Sequence, residues 1–263
     1  ESLHFFAGDF TTQTDFTELL ENADIVFHLI STTLPNTSAD NTLADVQGNL
    51  LPTLRLLEGM QKLGISRIVF PSSGGTIYGE AQYLPIDEKH PTEPIVPYGA
   101  TKLAIEKYLS IFRHAQHLDP VWLRISNPYG PGFRHESPQG VIGAFLYRAL
   151  SGQPVDLWGS GDIQRDYLYI EDLVDALIAA ASYRGPHFVF NISTGIGTSL
   201  KAVIDLVEEV SQQRLTVRQH PSRNFDVQSN VLCNTLARQE LGWHPKHTLR
   251  QGVERTLHWM QKP

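Results

Sequence analysis

The segment with the clearest chemical potential is Pro97-Tyr98-Gly99-Ala100-Thr101-Lys102, in which a tyrosine precedes a lysine by four residues. Residues at this spacing lie on the same face of a helix, so the Tyr98 phenol and the Lys102 ammonium are predicted to be neighbours. A nearby cation favours the phenolate, so we expect a lowered pKa for Tyr98 and a role as acid and base. Such pairs are often plain surface pairs, so this interpretation needs support from other segments.

Hydroxyl groups follow a predicted strand at residues 65–70. The next segment, 71–79, holds two serines, one threonine and three glycines. Open α/β sheets bind ligands at the carboxyl ends of their parallel strands. Ser73 or Thr76 is therefore placed to offer a hydroxyl next to Tyr98, although an ordinary turn rich in glycine and serine is the alternative interpretation.

The elements that must position these residues alternate between strand and helix. Residues 24–30 form a nearly continuous apolar run, typical of a strand buried on both faces. An amphipathic helix follows, with Pro52 inside it as a predicted kink. A strand at 65–70, a helix at 98–115 and a strand at 121–125 continue the alternation. This order predicts an α/β fold with a doubly wound parallel sheet.

The second half of the chain is less regular and is predicted to form a smaller lobe. Predicted helices and strands lie at residues 141–150, 154–158, 170–181 and 188–192. Ser199 is a plausible N-cap of a further helix, and two short helices are expected around Trp243-His244-Pro245 near the end.

Composition and charge argue against several classes of function. A net charge of −7 without a basic run makes nucleic acid an unexpected partner. With Cys233 as its one cysteine, the chain cannot form an internal disulfide, so a reducing, cytoplasmic location is expected. No apolar run is long enough to span a bilayer. The histidines show no zinc-binding spacing, so no metal site is predicted.

An ordered set of short motifs resembles the extended short-chain dehydrogenase/reductases, within them the NAD-dependent epimerase/dehydratase family that acts on nucleotide sugars. The match is closest to UDP-glucose 4-epimerases. The matching residues occur in the family's order from near residue 3 to near residue 250. They are residues 8–9, 24–29, 49, 72–79, 97–102, 123–132, 165–173 and 241–243.

The resemblance implies a site for NAD. Asp9 would meet the adenine, Asn49 would steady the surrounding loops, and Lys102 would bind the nicotinamide ribose. The implied cofactor-binding residues are Asp9, Phe10, Leu29, Ile30, Ser31, Asn49, Ser72, Tyr98, Lys102 and Pro128. The implied domains are an NAD-binding, Rossmann-like domain over residues 1–130 with parts of 160–195, and a discontinuous nucleotide-sugar lobe over 131–263.

The resemblance also implies a reaction, the C4 epimerisation of a UDP- or dTDP-hexose through a 4-keto intermediate. The implied catalytic residues are Tyr98, Lys102, Ser73 and Thr76. The implied substrate-binding residues are Ser73, Thr76, Tyr98, Asn127, Arg165 and Arg223. A guanidinium suits a diphosphate well, but a local ion pair between Arg165 and Asp166 is the alternative. Helices at 43–63 and 98–115 would pair in a homodimer as a four-helix bundle.

The chain departs from the family in two ways. Gly74 stands where the family commonly has its catalytic serine or threonine, which leaves Ser73 and Thr76 as substitutes. The glycine-rich phosphate loop is not found, and residues 3–7 are predicted to be a strand entered in mid-fold. The expectation is therefore that the sequence is a fragment or begins after an unseen segment.

Three alternative functions stay open at this point. A 4,6-dehydratase would need the family's Asp-Glu pair, where this chain has Gly75-Thr76. Another sugar-nucleotide oxidoreductase is possible, although the keto-sugar epimerase/reductases normally carry a cysteine near this loop. The alternative from another class is a non-catalytic fragment that binds a nucleotide sugar without holding NAD.

Overall fold

The computed structural model describes residues 3–35, 37–115, 117–132, 140–222 and 227–262. The helices are α1 (Thr17–Leu20), α2 (Thr42–Asp45), a π-helix (Val46–Leu50), α3 (Leu51–Leu63), α4 (Pro97–His114), α5 (Val141–Ser151), α6 (Ile170–Ser182), α7 (Leu200–Ser211), α8 (Thr235–Glu240) and α9 (Leu249–Met260). The strands are β1 (Ile25–Phe27), β2 (Arg67–Ser73), β3 (Asp119–Ile125), β4 (Asn127–Tyr129), β5 (Val155–Trp158), β6 (Gln164–Tyr169), β7 (Val189–Ile192), β8 (Gly197–Ser199), β9 (Val217–His220) and β10 (Ser229–Asn230).

The main sheet is parallel and has the order β1–β2–β3–β7. Successive side chains of a strand point to opposite faces, and β2 places apolar residues on both. Ile68 and Phe70 pack with α3 and α4, whereas Val69 packs with α6 on the other face. The sheet therefore has helices on both faces, which confirms the predicted doubly wound α/β fold.

The remaining strands belong to two small sheets. One has the order β10–β6–β4 with β8 antiparallel to β6, and the other is the parallel pair β5–β9. Tyr167 and Tyr169 of β6 belong to a core with α5, α7 and α9, whereas Leu168 between them packs in the core of α6 and the main sheet. Strand β6 thus joins the two cores.

The kink predicted at Pro52 is a change of helix type. The segment from Thr42 to Leu63 is three consecutive helical pieces, with the π-helix in the middle. Pro52 lies in the first turn of α3, directly after the π-helix, whose last hydrogen bond runs from the Leu51 N–H to Val46 O. Gly64 ends α3 with a left-handed backbone, φ 72°, as a C-terminal glycine typically does.

The strand predicted for residues 3–7 is wrong. These residues have no strand partner within the described chain, and Leu3 and Phe5 are 96% and 88% exposed. The alternation of apolar side chains there is not matched by a neighbouring strand, which a β-strand needs. None of the described helices combines the length and apolarity required to cross a membrane.

Candidate active site

The start of α4 fixes the position of Tyr98. Pro97 opens the helix, and the Tyr98 backbone N–H donates to Ser38 Oγ at 3.1 Å. A Cβ on Gly99 would lie 2.5 Å from Thr76 O, so only glycine permits this contact between the helix and residues 73–76. The first turn of α4 therefore lies directly against the carboxyl end of β2.

Lys102 lies one turn further along the same face. Its Nζ is 5.6 Å from the Tyr98 ring centroid and 4.7 Å from that of Phe70, and it donates to Pro71 O at 3.2 Å. Burial lowers the pKa of Lys102 to about 8, against the opposing charges of Asp45 and Glu106. Lys102 is thus a buried ammonium, mostly protonated at neutral pH, next to the tyrosine.

The pKa of Tyr98 is raised rather than lowered. Burial is the main cause, a hydrogen bond with Ser31 acts against it, and the negative charge of Asp45 adds to it. The expected lowering is wrong for this structure, because the spacing of Tyr98 and Lys102 reveals their proximity but not how much water burial removes from the phenol.

The hydroxyl groups after β2 differ in their surroundings. Thr76 Oγ1 is buried and has no hydrogen-bond partner, whereas Ser73 is half-buried at the end of β2. A Cβ on Gly74 would overlap Leu232 Cδ1 and lie 3.1 Å from Arg124 O. A serine or threonine at residue 74 would therefore need Leu232 and its surroundings to shift, whereas Thr76 offers an unused buried hydroxyl beside α4.

The Ser72 side chain is turned into the interior of the protein. It is buried, and its Oγ donates to Glu106 in the core below the strand end. Alternation along β2 turns this side chain inward, so a contact of Ser72 with a cofactor stays a prediction that only its main chain could meet.

The segment after β1 forms an open ledge. Leu29, Ile30 and Ser31 are all exposed there. The buried Asn49 holds the adjoining loop, accepting the Thr32 N–H at 2.8 Å through Oδ1 and donating to Asp45 O at 3.0 Å through Nδ2. The side chains of the ledge are therefore accessible, while the backbone next to them is fixed by hydrogen bonds of Asn49.

Asp9 and Phe10 lie before α1. Asp9 is exposed and accepts the Thr11 N–H at 2.9 Å and its hydroxyl at 2.7 Å, which lowers the pKa of Asp9. The Phe10 ring packs 5.2 Å from the ring of His28. Asp9 is thus a preorganised, exposed carboxylate close to the chain that precedes the ledge.

The predicted substrate residues lie on β4 and β6. Asn127 Nδ2 donates to Asp166 O at 2.9 Å, and Pro128 is exposed next to it.

Arg165 donates to Val227 O at 2.7 Å. Asp166 is buried and accepts from the Thr194 hydroxyl and from the main-chain N–H groups of Thr194 and Gly195. Arg223 lies outside the described residues.

Three polar residues at the site were missed by the sequence reasoning. Asp45 is fully buried and accepts from the hydroxyls of Thr33 and Thr101. Glu106 is buried and pairs with Arg124 at 2.7 Å. Asn230 donates to Gly74 O at 3.1 Å while its Oδ1 is buried without a partner.

The sequence contains an indication of two of these residues. Asp45 lies four residues from Asn49, and Glu106 lies four residues from Lys102, so each shares a helix face with a predicted site residue.

Groups that could bind a metal ion are not seen in the described ranges, where no cluster of three or more histidine, cysteine, aspartate or glutamate side chains occurs. The geometry offers instead a half-buried tyrosine next to a buried lysine, an unused hydroxyl and an accessible ledge at one end of a parallel sheet. Such an arrangement can move a proton to or from a substrate hydroxyl beside a bound dinucleotide.

Comparison with known proteins points the same way. Residues 1–193 match the model of the NAD dependent epimerase/dehydratase family. A putative UDP-glucose 4-epimerase of Methanocaldococcus jannaschii is 32% identical over 242 residues, covering 92% of this chain and 78% of that protein. A dTDP-4-dehydro-6-deoxyglucose reductase of Escherichia coli is 33% identical over 236 residues, covering 90% and 74%.

The fold is shared with a solved relative. The crystal structure of UDP-glucose 4-epimerase from Thermotoga maritima with UDP-glucose has a TM-score of 0.94 and 32% identity, and it covers 98% of this chain and 84% of that chain. With a family model matching well over half of its length, the chain belongs to the NAD-dependent epimerase/dehydratase family.

Proposed function

We propose that the protein is a nucleotide-sugar epimerase that inverts C4 of a nucleoside diphosphate hexose with bound NAD. The observation that carries this proposal is the half-buried Tyr98 next to the buried Lys102, held beside the unpartnered Thr76 hydroxyl at the carboxyl end of the parallel sheet. The named function of the Methanocaldococcus and Thermotoga relatives supports the substrate class.

The residues present fit NAD. The exposed ledge of Leu29, Ile30 and Ser31 lies at the end of β1, where doubly wound sheets bind dinucleotides. Asp9 would meet the adenine, and Lys102 would bind the nicotinamide ribose. NAD, when bound, supplies the hydride acceptor and donor.

Tyr98 is proposed to take the proton of the sugar 4-hydroxyl and to return it. Burial disfavours its phenolate and the Ser31 hydrogen bond favours it; the Lys102 ammonium one turn away is proposed to help it accept the proton. The Thr76 hydroxyl would hydrogen-bond the same sugar oxygen, and Ser73 is the substitute. Arg165, together with Arg223 as an expectation from sequence, would hold the diphosphate so that the sugar can turn about it.

The test is to incubate the protein and NAD with UDP-glucose, UDP-N-acetylglucosamine and dTDP-glucose and to resolve the products by NMR. We expect a product inverted at C4 with no net change in NADH. A product that has lost water, or a nucleotide sugar that binds without any turnover, would contradict the proposal.

A matched pair of variants decides which hydroxyl acts. Thr76→Val is expected to lower kcat about tenfold to a hundredfold, since it removes a hydrogen bond to the reacting oxygen. Ser73→Ala is expected to lower it much less, because only Thr76 Oγ1 is buried and unpartnered. The reverse order of the two effects would assign the role to Ser73.

A sugar-nucleotide reductase is the second candidate, favoured by the similarity to the Escherichia coli reductase. A reductase consumes one reduced cofactor for each product, whereas an epimerase consumes none. The absorbance of reduced nicotinamide during turnover of a 4-keto sugar nucleotide therefore distinguishes the two.

We also propose a homodimer in which α3 and α4 of two subunits form a four-helix bundle. Apolar side chains that are exposed on these two helices support it: Leu51, Leu63, Tyr108 and Ile111. Light scattering should give twice the mass of one chain. Ile111→Glu should shift that mass toward one chain, and an unchanged mass would place the interface elsewhere.

A further inference from the structure

Asp45 is a buried carboxylate that touches neither a ligand-facing surface nor water. It ends α2, immediately before the π-helix, and is 0% exposed. A buried carboxylate is unfavourable unless several donors satisfy it. Its donors here are the hydroxyls of Thr33 and Thr101 and, at 3.2 Å, the Asn49 side chain.

These three donors belong to three different parts of the site. Thr33 is in the loop that follows the ledge, Asn49 is in the π-helix below it, and Thr101 is in α4 between Tyr98 and Lys102. Asn49 also donates to Thr33 Oγ1 at 2.9 Å, which closes the network. Asp45 therefore connects α4, which carries Tyr98 and Lys102, with the loop that follows the ledge.

The charge of Asp45 acts on both members of the pair. It raises the pKa of Tyr98 and that of Lys102. Glu106, on the next turn of α4, acts on Lys102 in the same direction. His28, which follows β1, is held neutral, since burial and the charge of Lys102 lower its pKa to about 3.

We propose that Asp45 is a positioning residue for the epimerase reaction: it locks α4 to the loop after β1, and its carboxylate sets how the proton is shared between Tyr98 and Lys102. This inference rests on the proposed function for its meaning, but its electrostatic part can be measured without turnover.

The charge of Asp45 has opposite consequences for the two partners. It keeps Lys102 protonated, which the reaction needs, and it disfavours the Tyr98 phenolate. Removing the charge should therefore make the phenol more acidic and the ammonium easier to deprotonate. A residue with a purely structural role would reduce stability or rate without shifting either proton equilibrium.

The experiment is a titration of tyrosinate absorbance after rapid pH jumps. It compares the parent protein with Asp45→Asn, each with and without Tyr98→Phe, so that the difference reports Tyr98 alone. Asparagine keeps the size of the side chain and lets the threonine hydroxyls rotate to new partners. We expect the pKa of Tyr98 to fall by about one unit in the Asp45→Asn protein.

The matched control is Asp172→Asn, which also neutralises a buried carboxylate, at 1% exposure, but in α6 on the other face of the sheet. It should leave the Tyr98 titration where it is. Asp45→Ser is the second variant if Asp45→Asn does not fold, and it should give the same shift. An unchanged Tyr98 titration in the folded Asp45 variant would overturn the proposal.

The kinetic readout separates this proposal from the proposed function. If the protein epimerises, both limbs of its pH–rate profile should move to lower pH in Asp45→Asn, because both pKa values fall. Loss of kcat with unmoved limbs would contradict the electrostatic role. If no nucleotide sugar turns over, the proposed function fails, yet the absorbance titration still decides whether Asp45 controls Tyr98.

Discussion

The charged groups around Tyr98 and the Arg165 guanidinium on β6 are held in different ways. Around Tyr98 the charges are buried and are linked side chain to side chain, as in Glu106–Arg124 and Asp45–Thr101. On β6, Arg165 is half-buried and donates to the main-chain carbonyls of Gln164 and Val227. Buried charges perturb one another strongly, whereas water screens exposed ones.

This difference separates two tasks. In the proposed mechanism the buried network would tune proton affinity, which requires a low-dielectric setting, whereas Arg165 on β6 would only bind and release a diphosphate. Substitutions in the first region should therefore change rate and stability, and substitutions in the second should change binding.

The largest expected effect is that of Tyr98→Phe, which removes the proposed proton acceptor. We expect kcat to fall by about 10³-fold, within the range of a general acid–base contribution, with little change in nucleotide-sugar affinity. NMR assays give the rate and calorimetry the affinity. Tyr108→Phe, exposed on the same helix, is the control, and a turnover retained by Tyr98→Phe would remove the enzymatic interpretation.

The next effect concerns stability. Glu106→Gln leaves the Arg124 guanidinium buried without its counter-charge, so the free energy of unfolding should fall by about 3 kcal/mol. Urea denaturation followed by circular dichroism measures this change. Glu254→Gln, whose glutamate is half-exposed and 3.9 Å from Arg250, should change stability little. Equal effects of the two substitutions would abolish the contrast between buried and exposed charges.

A smaller effect is expected on β6. Arg165→Lys keeps the charge but loses the planar fork, so KM for the nucleotide sugar should rise about tenfold, the equivalent of one charge-assisted hydrogen bond. The value of kcat should stay within about twofold. Arg184→Lys is a fitting control, because Arg184 likewise donates to main-chain carbonyls, those of Ala181 and Tyr183, outside the site. A fall in kcat alone would show that Arg165 belongs to the chemistry.

The smallest effect is expected at an exposed ion pair. Lys201 and Asp162 are 3.0 Å apart, but both side chains are more than half exposed. Lys201→Ala should change the free energy of unfolding by less than about 0.5 kcal/mol, and raised salt should make the difference smaller still. A larger loss in urea denaturation would mean that exposed pairs stabilise this protein more than the comparison allows.

The fold could be predicted from sequence because its signals are local. Apolar runs and helical spacing gave β1, β2, β3 and α4 to within a few residues, and Ser199 caps α7 as expected by accepting the Ala202 N–H. Residues 3–7 failed because a strand depends on a partner strand, and that information is not carried by the segment itself.

The site was predictable where chemistry depends on neighbours in sequence and unpredictable where it depends on burial. The proximity of Tyr98 and Lys102 follows from their spacing. The raised pKa of Tyr98, the inward turn of Ser72 and the role of Asp45 all depend on side chains from other elements. Only the packed structure brings these together.

The contact between Gly74 and Leu232 links two positions that are far apart in the sequence. Leu232 is fully buried and occupies the space that a side chain on residue 74 would need. A side chain at residue 74 would require the end of the Leu232 side chain to move, so substitutions at the two positions are expected to be coupled. The chain after β2 and the segment before α8 are thus coupled through packing, and Gly74→Ser combined with Leu232→Ala should cost less stability than the sum of the two single replacements.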